Sequence, residues 1–236
     1  MLSGARVVVV VPAYDVAERI SQVLRTLPSW VDEIVVVDDA SRDGTAGAAQ
    51  EVIDARVTLL RHERNRGVGA AIVTGYRHAL ATPGSPRDAL VVMAGDAQMD
   101  PRDLESVTLP IVTGEAGYVK GDRFAHPDSR DIPWTRKLGG RVFSMATTLA
   151  LGTKITDSQC GFTAIARSAC ESLELRALWP RYGYPNDLLA MLVRANVTIL
   201  HVPVRPVYFE GAPGLGLRHL PRIAWIVARA AVKIRS

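Results

Sequence analysis

Only two cysteines, Cys160 and Cys170, occur in 236 residues. So few exclude a disulfide framework and a cysteine-built metal centre, and they fit a reducing, cytoplasmic setting. The five histidines, among them His62, His126, His201 and His219, show no metal-ligand spacing and receive no role. No apolar stretch reaches the ~18 residues of a membrane-spanning helix. The first apolar run, Val7 to Val11, is too short for a secretory leader and reads as a strand. Internal repeats and low-complexity linkers are missing too. The net charge is only +4. It suits anionic partners such as nucleotides or acidic lipid headgroups, and no nucleic-acid partner is expected. What is left is a folded composition, 48% hydrophobic and 22% charged, with chain enough for one large α/β domain or two small ones.

Hydrophobic patterning supplies the fold class. Strand-like runs fall at 6–11, 33–38, 57–61 and 89–93, with amphipathic stretches at 17–27, 45–53 and 69–80 between them. That alternation predicts an α/β, doubly wound, mostly parallel sheet with helices on both faces. The five consecutive valines at 7–11 suit a central strand covered on both sides. The second half is less regular. It predicts strands at 118–121, 162–166 and 198–204, helices at 135–151 and 186–195, a short helix from Ser168, and a polar loop at 122–134.

Polar residues gather where the apolar runs stop. Val91-Val92-Met93-Ala94-Gly95-Asp96-Ala97-Gln98-Met99-Asp100-Pro101 ends a buried strand in acids and an amide. Parallel sheets bind ligands at this carboxyl edge, and hard divalent cations take oxygen ligands and bridge to phosphates. A surface turn is the plainer alternative. Asp100 reads as a helix cap, with Pro101 in the first helical position. The run at 33–38 likewise ends in Asp38 and Asp39, adjacent carboxylates that repel unless relieved. Asp39 reads as a ligand, Asp43-Gly44 as a turn, and Thr45 as a helix opening. A third strand end carries Pro12-Ala13-Tyr14-Asp15. The glycines of 66–71 lack the dinucleotide and Walker patterns and read as small residues that let a helix approach the sheet.

Seven motifs follow in order: VPAYD at 11–15, VVDDASRDGT at 36–45, RNRGVGAAIVTGY at 64–76, AGDAQMDP at 94–101, KGDRF at 120–124, DSQCGF at 157–162 and YPNDLL at 184–189. Together they resemble the family 2 glycosyltransferases, of GT-A fold, and within them the polyprenyl-phosphate, dolichol-phosphate mannosyltransferase-like branch. The resemblance covers residues 5–205. It implies an inverting hexosyltransferase of cell-envelope glycans, with a nucleotide-diphosphate sugar as donor. UDP is favoured over GDP through Asp39. Pro12, Ala13, Tyr14, Asp15, Asp38, Asp39, Arg64, Gly67, Gly95, Asp96 and Ala97 would hold the donor, with Asn65 beside Arg64. Asp96 and Gln98 would hold Mg2+ or Mn2+, which neutralises charge on the leaving diphosphate. Two positions depart from the family pattern: Ala94 replaces a frequent Asp, and Asp15-Val16 a frequent Asn-Glu.

On the acceptor side the resemblance assigns Arg123 and Arg136 to a lipid phosphate, with solvated loop arginines as the alternative. Asp157 and Gln159 would shape the acceptor pocket. Asp187 takes the place of a catalytic carboxylate, needed as a general base for a glycan or lipid hydroxyl but not for an ionised phosphate. Helix-dipole placement is its plainer reading. A nucleotide-sugar-binding protein without turnover, suggested by Ala94, is a further alternative. Residues 1–210 are expected to form one domain, with a nucleotide half to about 101 and an acceptor half beyond it. A basic amphipathic helix at 211–236 would follow. There, at about 100° per residue, Arg218, Arg222, Arg229 and Lys233 share an arc of roughly 60°, with Trp225 at its edge. Such a helix suits an anionic membrane surface and a peripheral place on its cytoplasmic face, or ordinary docking on the domain.

Overall fold

The computed structural model describes residues 1–208 together with Trp225 and Arg229. The helix expected at 211–236 therefore lies outside the described residues except at those two positions.

The first half alternates strand and helix: β1 (Val7–Ala13), α1 (Ala17–Thr26), β2 (Glu33–Asp38), α2 (Thr45–Gln50), β3 (Val57–Arg61), α3 (Val68–Leu80) and β4 (Ala89–Val92). The second half adds α4 (Leu104–Val112), β5 (Tyr118–Asp122), α5 (Trp134–Leu151), β6 (Thr163–Ala166), α6 (Arg167–Glu171), α7 (Tyr184–Arg194) and β7 (Ile199–Pro203). The seven strands form one sheet in the order β3-β2-β1-β4-β6-β5-β7. β6 runs antiparallel to both its neighbours; the other pairings are parallel. The mostly parallel α/β architecture expected from the sequence is the one observed.

Burial explains the order. All seven residues of β1 are buried, and β1 lies between β2 and β4 with helices over both faces. Each buried valine contributes roughly 1.5–3 kcal/mol relative to exposure. The outer strands β3 and β7 are only half-buried. α1 turns Ile20, Val23 and Leu24 to the sheet, a helical spacing, with Glu18 in its first turn and Arg25 in its last to suit the helix dipole.

Element boundaries shift from the expectation by up to three residues, as where the helix expected at 45–53 ends at Gln50. α7 starts at Tyr184 rather than 186, because Pro185 fits the first helical turn, where no N–H partner is required. The polar loop at 122–134 contains a 3-10 turn, Pro127–Asp131.

Gly75 sets how closely α3 approaches the sheet. A Cβ there would stand 2.3 Å from Val10 Cγ1. Gly75→Ala is expected to destabilise the chain by about 1–3 kcal/mol through overpacking, against a helix-propensity gain of about 1 kcal/mol. Urea unfolding measures this; an unchanged or raised midpoint would contradict the packing account.

Candidate active site

The site grows from the carboxyl edge of the parallel strands. The β2–β3 register pairs Asp38 with Arg61, so Asp39 and His62 follow side by side. Asp39 is buried, yet both its oxygens are satisfied. Oδ1 accepts from Arg66 N–H at 2.8 Å and lies 2.7 Å from His62 Nδ1; Oδ2 accepts from Gly67 N–H at 2.7 Å. His62 Nε2 lies 2.9 Å from Thr74 Oγ1. The expectation that no histidine has a role is therefore corrected at His62, which orients the Asp39 carboxylate. Gly67 has φ +96°, and a Cβ on it would meet Pro180 O at 2.6 Å. Ala70 N–H donates to that same carbonyl at 3.0 Å. The small residues expected to bring α3 to the sheet thus also seat the 179–182 segment against the start of α3.

Between these parts lies a cleft of about 320 Å³. It brings together Pro12, Ala13, Tyr14, Asp39 and Gly67 from the expected donor set, and Asn65 with them. Arg181 and Tyr182 wall it from the far side; nothing local in sequence marked those two. The other candidates stand around the cleft rather than in its lining. Asp15, at φ +50°, accepts from Arg42 N–H at 2.8 Å and ties two strand-end loops together. Asp38 accepts from Ser41 N–H at 3.0 Å and pairs with Arg61. Arg64 is exposed. Gly95 is buried, its N–H on Pro12 O at 3.1 Å. Asp43 accepts from Thr45 and from Ala17 N–H, the turn role expected for it.

Beyond β4 the chain makes an acidic turn. Ala97 holds a left-handed backbone, φ +61°. Asp96 Oδ1 accepts from Gln98 N–H at 3.0 Å, and burial raises its carboxyl pKa. Among the described residues no three His, Cys, Asp or Glu side chains gather as a metal cage. One carboxylate with an adjacent amide still fits magnesium or manganese, which complete their shells with phosphate oxygens and water. Asp100 does different work. It caps the 3-10 turn through Arg102 N–H and pairs with Arg102 and Arg205. The Arg102 guanidinium draws its pKa from 3.8 to about 2.

The acceptor-side candidates are held in pairs. Arg123 donates to Asp157 through Nε at 2.7 Å and Nη2 at 3.0 Å. Burial opposes the Asp157 charge, but Arg123 and Lys120 outweigh it and lower the pKa. Asp157 also accepts from Gln159 and Cys160 N–H. Lys120 is fully buried, donates to Cys160 O at 2.6 Å, and has its pKa lowered by burial. Arg136 lies 5.0 Å from the centre of the Tyr208 ring. Asp187, in the first turn of α7, is fully buried. Its Oδ2 accepts from Trp179 N–H at 2.8 Å, and Arg229 Nε stands 3.5 Å from Oδ1.

His62→Ala strips a partner from a buried carboxylate and is expected to destabilise the chain by about 1–3 kcal/mol; a denaturant midpoint equal to wild type would refute that role. Asp100 has a depressed folded-state pKa, so its contribution is complete above the ordinary 3.8 and is lost as pH falls towards about 2. Asp100→Asn should flatten the fall of thermal midpoint across that window. An undiminished fall would place the acid sensitivity elsewhere.

Comparison with known proteins gives this geometry its context. Residues 8–174 match the family described as Glycosyl transferase family 2. The UDP-N-acetylglucosamine–dolichyl-phosphate N-acetylglucosaminyltransferase of Methanococcus voltae is 30% identical over 217 residues, 85% of each chain. The undecaprenyl-phosphate mannosyltransferase of Micrococcus luteus is 29% identical over 206 residues, covering 84% of this chain and 82% of that one. Glucosyl-3-phosphoglycerate synthase from Mycobacterium tuberculosis, solved with Mn2+, UDP and glucosyl-3-phosphoglycerate, superposes with a TM-score of 0.70 at 22% identity. It covers 98% of this chain and 80% of that one, and the likeness bears out the GT-A architecture. The chain belongs to glycosyl transferase family 2 and is a glycosyltransferase that takes its sugar from a nucleotide sugar.

Proposed function

We propose that the chain transfers a sugar, with inversion, from a UDP-sugar to a polyprenyl phosphate at the cytoplasmic face of a membrane. The observation that carries the acceptor class is the set of contacts made by Asp187. Its carboxylate is buried, accepts from Trp179 N–H and faces the Arg229 guanidinium. Both carboxylate oxygens thus face groups of the protein itself, Trp179 N–H and the Arg229 guanidinium, whereas a general base must lie within hydrogen-bond reach of the proton it abstracts. An ionised phosphate needs no base, whereas a hydroxyl does. The relatives' names, dolichyl phosphate and undecaprenyl phosphate, agree with that chemistry.

In this reading the nucleotide lies in the cleft over Pro12–Tyr14, with its base against the Asp39 carboxylate that His62 orients. UDP follows from the Methanococcus voltae relative's donor and from the UDP held by the structural neighbour. Asp96 and Gln98 would hold the divalent cation, whose positive charge would offset the negative charge of the departing diphosphate. The acceptor's phosphate oxygen attacks the anomeric carbon from the face opposite the diphosphate. One carbon–oxygen bond forms as the bond to the leaving group breaks, so the configuration inverts. Arg136 and the field of the Arg123–Asp157–Lys120 cluster receive the acceptor's phosphate.

Purified protein incubated with manganese, radiolabelled UDP-sugars and short-chain polyprenyl phosphate should give butanol-extractable label. Asp96→Ala should abolish it, while Asp187→Asn should retain turnover within about tenfold, as expected where no proton is abstracted. Label in glycan but not in lipid, lost with Asp187→Asn at normal donor binding, would reverse the acceptor assignment in favour of a hydroxyl.

A further inference from the structure

α5 is apolar on two opposite sides. Gly140, Phe143, Ser144, Thr147 and Leu151 are buried against the fold. Trp134, Leu138, Val142, Met145 and Leu149 are 74%, 57%, 51%, 62% and 78% exposed. At about 100° per residue these five share an arc of roughly 80° on the far side of the helix. These five form one stripe along about four turns of the helix. Scattered apolar residues are normal on a surface; a contiguous stripe marks something that covers it.

The charges around the stripe identify the cover. α5 carries Arg136, Lys137 and Arg141 and not one acid in eighteen residues. Arg141 is exposed at the edge of the stripe, with Lys137 further round the same flank. A second copy of the chain would set these cations against their own kind across a two-fold contact. An anionic lipid surface takes the apolar stripe into its acyl boundary and the cations into its headgroups, and Trp134 suits that boundary. No helix among the described residues is long and apolar enough to cross a membrane.

We infer that the exposed stripe of α5 is an interfacial surface that docks the enzyme on an anionic lipid membrane. Its purpose rests on the polyprenyl-phosphate reading, since a lipid-anchored acceptor reaches the enzyme only at a membrane. Arg136 ties the two, because the same helix carries a candidate acceptor cation.

The full chain should co-sediment with phosphatidylglycerol–phosphatidylcholine vesicles in the absence of donor and acceptor. Leu138→Glu with Met145→Glu should lower the partition coefficient about tenfold or more, and Arg141→Gln should weaken the preference for phosphatidylglycerol. Transfer to a water-soluble short-chain acceptor should be unchanged in both variants. Equal sedimentation of wild type and the double glutamate variant would overturn the inference. So would a dimeric wild type made monomeric by the glutamates, or a large fall in their melting temperature, which would show that the stripe is covered by a second copy or by the chain itself. Vesicle binding and soluble-acceptor transfer are read separately: transfer without vesicle binding sinks only this inference, and vesicle binding without any lipid product sinks only the acceptor reading.

Discussion

Burying a carboxylate costs several kcal/mol unless its oxygens find donors, and the first half of this molecule is arranged around that demand at Asp39. The residue follows directly on β2, at the carboxyl edge of the sheet. Its compensation comes from three places: His62 just beyond β3, and the backbone N–H groups of Arg66 and Gly67 at the entrance to α3. Satisfying one anion therefore fixes the end of one strand against the next and the start of a helix against both. Thr74 extends the chain of contacts into the body of α3. The cleft beside Asp39 inherits its shape from this network, which would give the proposed nucleotide a pre-organised wall.

The second half of the chain follows the same logic with ion pairs. Arg123 and Asp157 stand 34 residues apart in sequence and meet through two N–H donors, closing the loop after β5 onto the segment before β6. Arg205, just after β7, donates from its guanidinium to Asp100 and Asp128 and from its backbone N–H to Asp103, and so gathers the acidic turn and the loop before α5 around one residue. Removing one partner of such a buried pair leaves a charge uncompensated, which is why these residues read as architecture as much as chemistry.

Local signals made the sheet legible. The valine runs of β1 and β2 read as buried strands, and the acids after them marked the carboxyl edge of the sheet. Legibility failed where meaning depended on distant chain. His62 carries no motif; only the pairing of Asp38 with Arg61 reveals that it adjoins Asp39. Gly67 and Gly69 looked like concessions to the sheet, but the atoms they clear belong to Trp179 and Pro180. Arg181 and Tyr182 enter the cleft by that same contact. The stripe on α5 is present in the sequence at helical spacing, but spacing cannot say which of two apolar faces the fold will cover.

Electrostatic balance connects these parts to the chemistry. Around the acceptor side Asp157 is compensated by Arg123 and Lys120, and Asp187 by Arg229. A neutral acceptor would need one of these carboxylates to give up its partners at the moment of proton transfer, at the desolvation cost of leaving a cation unpaired. An anionic acceptor asks for no such exchange. It adds negative charge to a region that already holds Lys120, Arg123, Arg136 and Arg229, and it arrives with its nucleophilic oxygen deprotonated. In the proposed reading the buried pairs would act as a fixed dipolar frame that need not reorganise during the reaction, which is the condition under which electrostatic stabilisation is most effective.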